Sequence, residues 1–146
     1  MEFIHGLVNL HRQSKECAAT VGNFDGVHLG HRKVLGEARA KAKKNKLKFG
    51  MITFEPLPLM FFNKKIKNHR INNNFQKIFY LKKLRLDFLV IIKFNKSFSN
   101  LSAIDFVKKI ILKSLNSKYI FVSKNFRFGK NRRGNTGLLK KYEKKL

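Results

Sequence analysis

The chain has 146 residues, enough for about one domain, and 43% of them are hydrophobic, enough for one ordinary core. No apolar run reaches the roughly 18–20 residues that span a bilayer, the opening MEFIHGLVNLHRQ has no basic region ahead of a long apolar stretch, and the single cysteine, Cys17, forms no internal disulfide, which suits a reducing, cytoplasmic setting. The formal charge of +25 points toward anionic partners, but the lysines are scattered among Asn, Ile and Phe, as AT-rich codon drift produces. No zinc spacing, recognition-helix pattern or aromatic-basic strand of a nucleic-acid module accompanies them, so nucleic acid is not the expected partner. The charge reads mostly as a solvated surface that raises the on-rate of anionic ligands.

In chain order, Ala18–Val21 reads as a first buried strand with Cys17 as a small apolar residue entering it, cut off by Gly22. A glycine-punctuated loop follows, from Gly22 to Gly30. A helix is predicted from about His31 to Lys44, with Leu35, Ala38 and Ala42 on one face and Lys41, Lys43 and Lys44 in the last turn, where the dipole favours cations. Phe49–Phe54 is a second strand, halted by Glu55-Pro56-Leu57-Pro58. Residues 63–74 are polar, and a mobile loop is expected there. Helical spacing returns over Phe75–Leu84. Phe88–Phe94 is a nearly all-apolar third strand, as expected of one covered on both faces.

A helix over Ser102–Leu115 carries Ser102 and Asp105 at capping-box spacing and a stripe of Phe106, Val107, Ile110 and Ile111. Tyr119–Val122 is a fourth strand, followed by a second Gly/Arg-rich loop, Asn125–Gly137, and by LLKKYEKKL, which opens a helix. Alternation of strands and helices predicts an α/β fold with an open parallel sheet and right-handed crossovers. Ligands are then expected beyond the carboxyl ends of the strands, where both glycine-rich loops lie. No repeat or linker marks a second domain.

The segment Gly22–Leu35, GNFDGVHLGHRKVL, carries the chemistry. Glycines between a strand and a helix let backbone N–H groups approach a phosphate, and the helix N-terminus adds partial positive charge. Neither the Walker loop nor the GxGxxG fingerprint is present. His28 and His31 stand three apart around Gly30, able to address one ligand. An isolated HxxH is ordinarily two polar loop residues, and zinc lacks further ligands because Cys17 and His5 stand at no metal-like spacing. The position after strand one and before helix one favours the functional reading.

GNFDGVHLGHRKVL resembles the signature of the bacterial bifunctional riboflavin kinase/FAD synthetases, in their N-terminal adenylyltransferase module of Rossmann-like, HxGH nucleotidyltransferase fold. In register with it, TFEPLPLMFF (Thr53–Phe62) is similar to the family's phenylalanine-glutamate-proline segment. FSNLSAIDFV (Phe98–Val107) is similar to its helix entry, and NFRFGKNRRGN (Asn125–Asn135) to its second nucleotide-side loop.

The resemblance implies transfer of the adenylyl group of ATP to FMN, giving FAD and pyrophosphate with Mg²⁺ bridging phosphates. His28 and His31 would act as the catalytic pair. Gly22, Asn23, Phe24, Asp25, Gly26, Gly30, Arg127 and Arg133 would bind ATP, with Arg132 also in reach of phosphates. Asp25 would help place Mg²⁺, orient the loop or cap the helix; metal ligands are otherwise unassigned. Pro56, Pro58 and Phe62 would wall the flavin, while Phe126 and Phe128 would pack rather than stack on a base.

Against the family pattern, Ser123-Lys124-Asn125 stands where an acidic pair is usual, and Asn135 where Asp is expected. The chain is expected to be this module alone, incomplete at its C-terminus. It would end before the Ser/Thr-rich motif with its arginine, without the sheet's last strand and covering helix. The riboflavin kinase domain is expected to be absent, which leaves room for a separately encoded C-terminal half as a partner. The rival readings are an inactive nucleotide- or flavin-binding remnant, a basic nucleic-acid-binding protein on the same fold, and a related HxGH enzyme with another acceptor; the FEPLP and FRFG segments speak against the last.

Overall fold

The computed structural model describes residues 2–6, 9, 15–23, 29–56, 58–63, 79 and 81–143. Five strands, β1 (Glu2–His5), β2 (Cys17–Val21), β3 (Lys48–Glu55), β4 (Phe88–Lys93) and β5 (Ser117–Phe121), form one sheet in the order β1-β4-β3-β2-β5. All pairings are parallel, as the near-continuous apolar runs require. Four strands fall where the sequence predicts them, shifted by one or two residues. β1 is an addition to that prediction: its four residues pair with β4, Ile4 opposite Val90, and only Ile4 is buried.

The helices divide between the two faces. α1 (Leu29–Lys44) packs Leu35, Ala38 and Ala42 onto Ala18, Phe49, Met51 and Leu89. Its register is the predicted one, begun two residues earlier. The opposite face carries Cys17, Ala19, Val21, Ile52, Phe54, Val90 and Ile92 under the helix of residues 103–114, α4. This helix opens as Ala103–Asp105 and continues as a π-helix over Phe106–Ser114. Ser102 caps it, accepting from the Asp105 N–H at 3.1 Å, and the predicted stripe Phe106, Val107, Ile110 and Ile111 is buried. The wider turn extends that stripe to Leu115, whose N–H donates to the Ile110 carbonyl at 2.8 Å.

Sheet faces alternate with period two along each strand, and space is made where they crowd. A Cβ at Gly50 would fall 2.0 Å from the buried Phe88 ring, so the ring lies over the glycine. Cys17 is buried at the start of β2 with Sγ 3.5 Å from the Leu115 carbonyl oxygen. The predicted loop over 63–74 and helix over Phe75–Leu84 fall largely outside the described residues; residues 81–83 are helical and Leu81 is buried.

β2 leads through α1 to β3 on one side, while β5, reached through α4, lies on the other side of β2. The strand order therefore reverses at β2, and the crevice outside the carboxyl ends of β2 and β5 is where an open α/β sheet offers a binding site.

Candidate functional site

A cleft of about 830 Å³ opens at that edge. Its floor comes from the strand ends: Val21, Gly22 and Asn23 after β2, Phe54 of β3 and Phe94 just past β4. The Gly22 N–H donates to the Ile52 carbonyl at 3.1 Å, and the Thr53 hydroxyl donates to the Asn23 carbonyl at 3.2 Å. The first residues of the glycine-rich loop are thus fastened to β3. Of the predicted loop residues, Gly22 and Asn23 line the cleft. Phe24, Asp25, Gly26 and His28 lie outside the described residues. Gly30 and His31 stand in the first turn of α1, whose side chains there are likewise outside the description.

One wall is aromatic. The cis Glu55–Pro56 bond ends β3, and Pro58 starts the short helix α2 (Pro58–Phe62), a position that suits its fixed φ and missing N–H. From α2, the Phe61 and Phe62 rings reach Phe94 at 5.3 and 5.8 Å. Phe94 meets Phe98 at 5.5 Å, and Phe98 meets Phe54 at 5.7 Å. These edge and tilted contacts are the preferred geometries of aromatic rings. Phe98 sits on α3 (Lys96–Ser99), capped by the Asn95 side chain accepting from the Phe98 N–H at 2.8 Å. Phe62 is 68% exposed, an apolar ring held open toward solvent. Pro58 and Phe62 line the cleft; Pro56 is half-buried and is not among the described lining residues. Phe94 and Phe98 are lining residues that the sequence reading did not single out.

The facing wall is the loop after β5, and it is built to hold shape. Phe128 and Gly134 exchange backbone hydrogen bonds at 3.2 and 2.8 Å. The Phe128 ring is buried 5.2 Å from Phe106, with Phe126 stacked on it at 5.6 Å. A Cβ at Gly134 would meet that ring at 2.4 Å. Gly129 has φ +78 and packs directly on Ala103, while the Lys130 N–H donates to the Leu101 carbonyl at 2.8 Å. At the tip, a 3-10 turn (Lys130–Arg132), Asn131 and Arg132 are both left-handed, φ 56 and 54. Such conformations are costly for non-glycine residues and cluster at functional sites.

This loop brings Asn125, Arg127, Lys130 and Arg132 to the cleft. Arg133, expected to bind ATP, is exposed and not among the described lining residues, whereas its neighbour Arg132 is. Phe126 is half-buried and lines the cleft as well as stacking on Phe128. Asn135 serves as the cap of α5 (Thr136–Glu143), its side-chain oxygen accepting from the Leu138 N–H at 2.9 Å.

The cleft thus presents an aromatic wall, a cationic wall and the first residues of the glycine-rich loop at the switch point. The family model of FAD synthetase matches residues 10–146. The chain belongs to the FAD synthetase family. It is 44% identical over 140 residues to the bifunctional riboflavin kinase/FMN adenylyltransferase of Buchnera aphidicola from Schizaphis graminum, covering 96% of this chain and 45% of that protein. The proteins of the same name from Haemophilus influenzae and Escherichia coli K12 are 36% and 35% identical, over 100% and 97% of this chain and 47% and 45% of theirs. The chain thus spans about half the length of the relatives it matches. A crystal structure described as a macrolide-efflux protein from Streptococcus pneumoniae superposes with a TM-score of 0.81 at 24% identity, over 97% of this chain and 55% of that one, a likeness of fold. No helix among the described residues is long and apolar enough to cross a membrane.

Proposed function

We propose that this chain is an FMN adenylyltransferase module that transfers the adenylyl group of Mg-ATP to FMN. A phosphate oxygen of FMN attacks the α-phosphorus. The new P–O bond forms as the bond from the α-phosphorus to the β-phosphate oxygen breaks, and the electron pair leaves with pyrophosphate. No protein nucleophile is needed, so the protein's part is positioning and charge stabilisation. Mg²⁺ arrives as part of the ATP substrate.

The roles of the described residues follow the cleft, and those of Phe24–Gly26, His28, Gly30 and His31 follow the family resemblance. His28 and His31 hydrogen-bond the triphosphate and stabilise charge on the α-phosphate and the leaving group. Gly22, Asn23, Phe24, Asp25, Gly26 and Gly30 shape the loop against ATP. Arg127 and Arg132, with Lys130, meet phosphate oxygens; guanidinium groups suit such bidentate contacts. Arg133 lies one residue from this set and adds positive potential. Pro58 and Phe62 form the isoalloxazine wall with Phe94 and Phe98, and Pro56 sets the entry of that segment.

The observation that carries the reading is the convergence of three family-like segments on one cleft: Gly22–Asn23, the segment ending at Phe62, and the Asn125–Arg132 loop. Residues 1–146 act as this module. We place the reaction in the cytoplasm, the setting that a sequence with a single cysteine suits.

The test is FAD formation from FMN and Mg-ATP by the 146-residue chain, with a His28→Ala/His31→Ala control. Expected is FAD at a rate the double variant lacks. A folded chain that binds FMN or ATP yet forms no FAD would leave a binding remnant instead.

A further inference from the structure

Behind the cationic loop lies a second concavity, an outer groove of about 710 Å³. Its polar lining includes Lys124, Asn125, Arg127, Arg132, Asn135 and Thr136, and every charged side chain among its described lining residues is cationic. Asn125, Arg127 and Arg132 also line the main cleft. The two spaces therefore share one wall, and that wall is the pair of arginines and the amide assigned above to phosphates. Lys124, Asn135 and Thr136 belong to the groove and not to the described lining of the cleft. Asn135 uses its side-chain oxygen to cap α5, which leaves its amide Nδ2 to donate.

An anion released at the arginines meets further cationic lining in the groove, whereas no charged side chain is among the described residues that line the aromatic side of the cleft. We propose that the outer groove binds inorganic pyrophosphate on its way out of the cleft, handed from Arg127 and Arg132 to Lys124 and the amide of Asn135. The inference rests on the adenylyl-transfer reading, which makes pyrophosphate the leaving group. Guanidinium forks hold a phosphate in defined geometry, while a lysine is a flexible point charge. The order from arginine to lysine is thus one of loosening grip.

The 146-residue chain, Lys124→Glu and Lys113→Glu are titrated with inorganic pyrophosphate and, separately, with ATP. Lys113 lies in the last turn of α4, at the opposite edge of the sheet, and its reversal makes the same change in net charge. Lys124→Glu is expected to weaken pyrophosphate binding about tenfold, the scale of one lost charge-assisted hydrogen bond. Lys113→Glu should shift it less than about twofold, because screening limits distant surface charges, and Lys124→Glu should leave ATP affinity nearly unchanged. Equal losses in the two variants, an unchanged Lys124→Glu, or parallel losses of ATP and pyrophosphate would each overturn the groove as a separate site. In the FAD assay, Lys124→Glu should also resist product inhibition by pyrophosphate. A wild-type chain that forms no FAD but shows the expected binding pattern would sink the adenylyl-transfer reading alone and support the groove as a pyrophosphate site.

Discussion

The hydroxyl of Thr53, near the carboxyl end of β3, donates to the backbone carbonyl of Asn23 at 3.2 Å. Thr53 is buried, and the bond crosses from the strand that leads into the aromatic wall to the loop that leads into the histidine motif. Together with the bond from the Gly22 N–H to the Ile52 carbonyl, this side chain fastens two segments with different jobs in the proposed reaction.

Thr53→Val keeps the shape and removes the donor. A neutral hydrogen bond contributes about 0.5–1.5 kcal/mol, so the melting temperature should fall by only about 2–4 °C. The functional loss is expected to be larger than that suggests, because the Asn23 carbonyl, at the floor of the cleft, loses a bond that fixes it to β3. KM for ATP should rise about fivefold, the equivalent of about 1 kcal/mol. Steady-state kinetics beside a thermal melt decide it: a melt shift with no change in KM would make Thr53 a purely structural residue.

Gly129→Ala attacks the other wall. Gly129 is left-handed, and an added Cβ would come within 2.6 Å of the Ala103 backbone, which has no flexible end to move aside. The loop must lift from α4, breaking the bond from the Lys130 N–H to the Leu101 carbonyl. Strain of this kind costs about 1–3 kcal/mol. Urea unfolding should show that loss, and FAD formation should drop at least about tenfold, since rates respond strongly to small displacements of charge-stabilising groups. Full activity in a destabilised variant would detach the loop from the chemistry.

What could be read from the residues follows what is local in sequence. The α1 stripe, the Ser102 cap and the apolar runs of β2, β3 and β4 each carry their signal within a few positions. The first strand does not. Glu2–His5 buries one side chain, and its partner Phe88–Ile91 lies more than eighty residues away. The helix over 106–114 was legible as a helix but not as a π-helix, because residues 106, 107, 110 and 111 fit either winding; only Leu115 distinguishes the wider turn. In the site, the glycine loop and the FRFG segment announce themselves. Phe94 closes a strand-like run and Phe98 opens a short helix, so their meeting over the cleft exists only in three dimensions. Arg132 and Arg133 are equivalent in sequence and are separated by the left-handed turn at Asn131 and Arg132.

The aromatic wall separates binding from folding. Phe62 is 68% exposed, so its truncation removes little from the core. Phe62→Ala should leave the melting temperature within about 2 °C, the surface range, and weaken FMN by roughly threefold to tenfold, as loss of one aromatic contact of 0.5–1.5 kcal/mol predicts. Phe98→Ala, by contrast, strips contacts from Phe54, Phe94 and Phe106. It should destabilise the chain by about 3 kcal/mol as well as weaken FMN. Quenching of flavin fluorescence gives both affinities. An unchanged FMN affinity in Phe62→Ala would move the flavin off this wall.

The last prediction tests the packing beneath the site. Gly50 has Phe88 as its register partner on β4, and the ring occupies the space a Cβ would need, 2.0 Å from its ideal position. Both residues are buried, and Phe88 packs in the core cluster that α4 covers. Gly50→Ala is an overpacking change in a central strand and should cost about 1–3 kcal/mol. Phe88→Leu alone leaves unfilled space and should cost a similar amount. Combined, the added methyl moves into the space the ring vacates. The double variant should then be more stable than the sum of the single losses by roughly 1 kcal/mol or more, a coupling expected only of residues in contact. Urea midpoints of the four chains measure it. Simple additivity would mean that the ring leaves Gly50 when given the choice, and that the close approach of ring and glycine is not what holds β3 against β4 beneath the cleft.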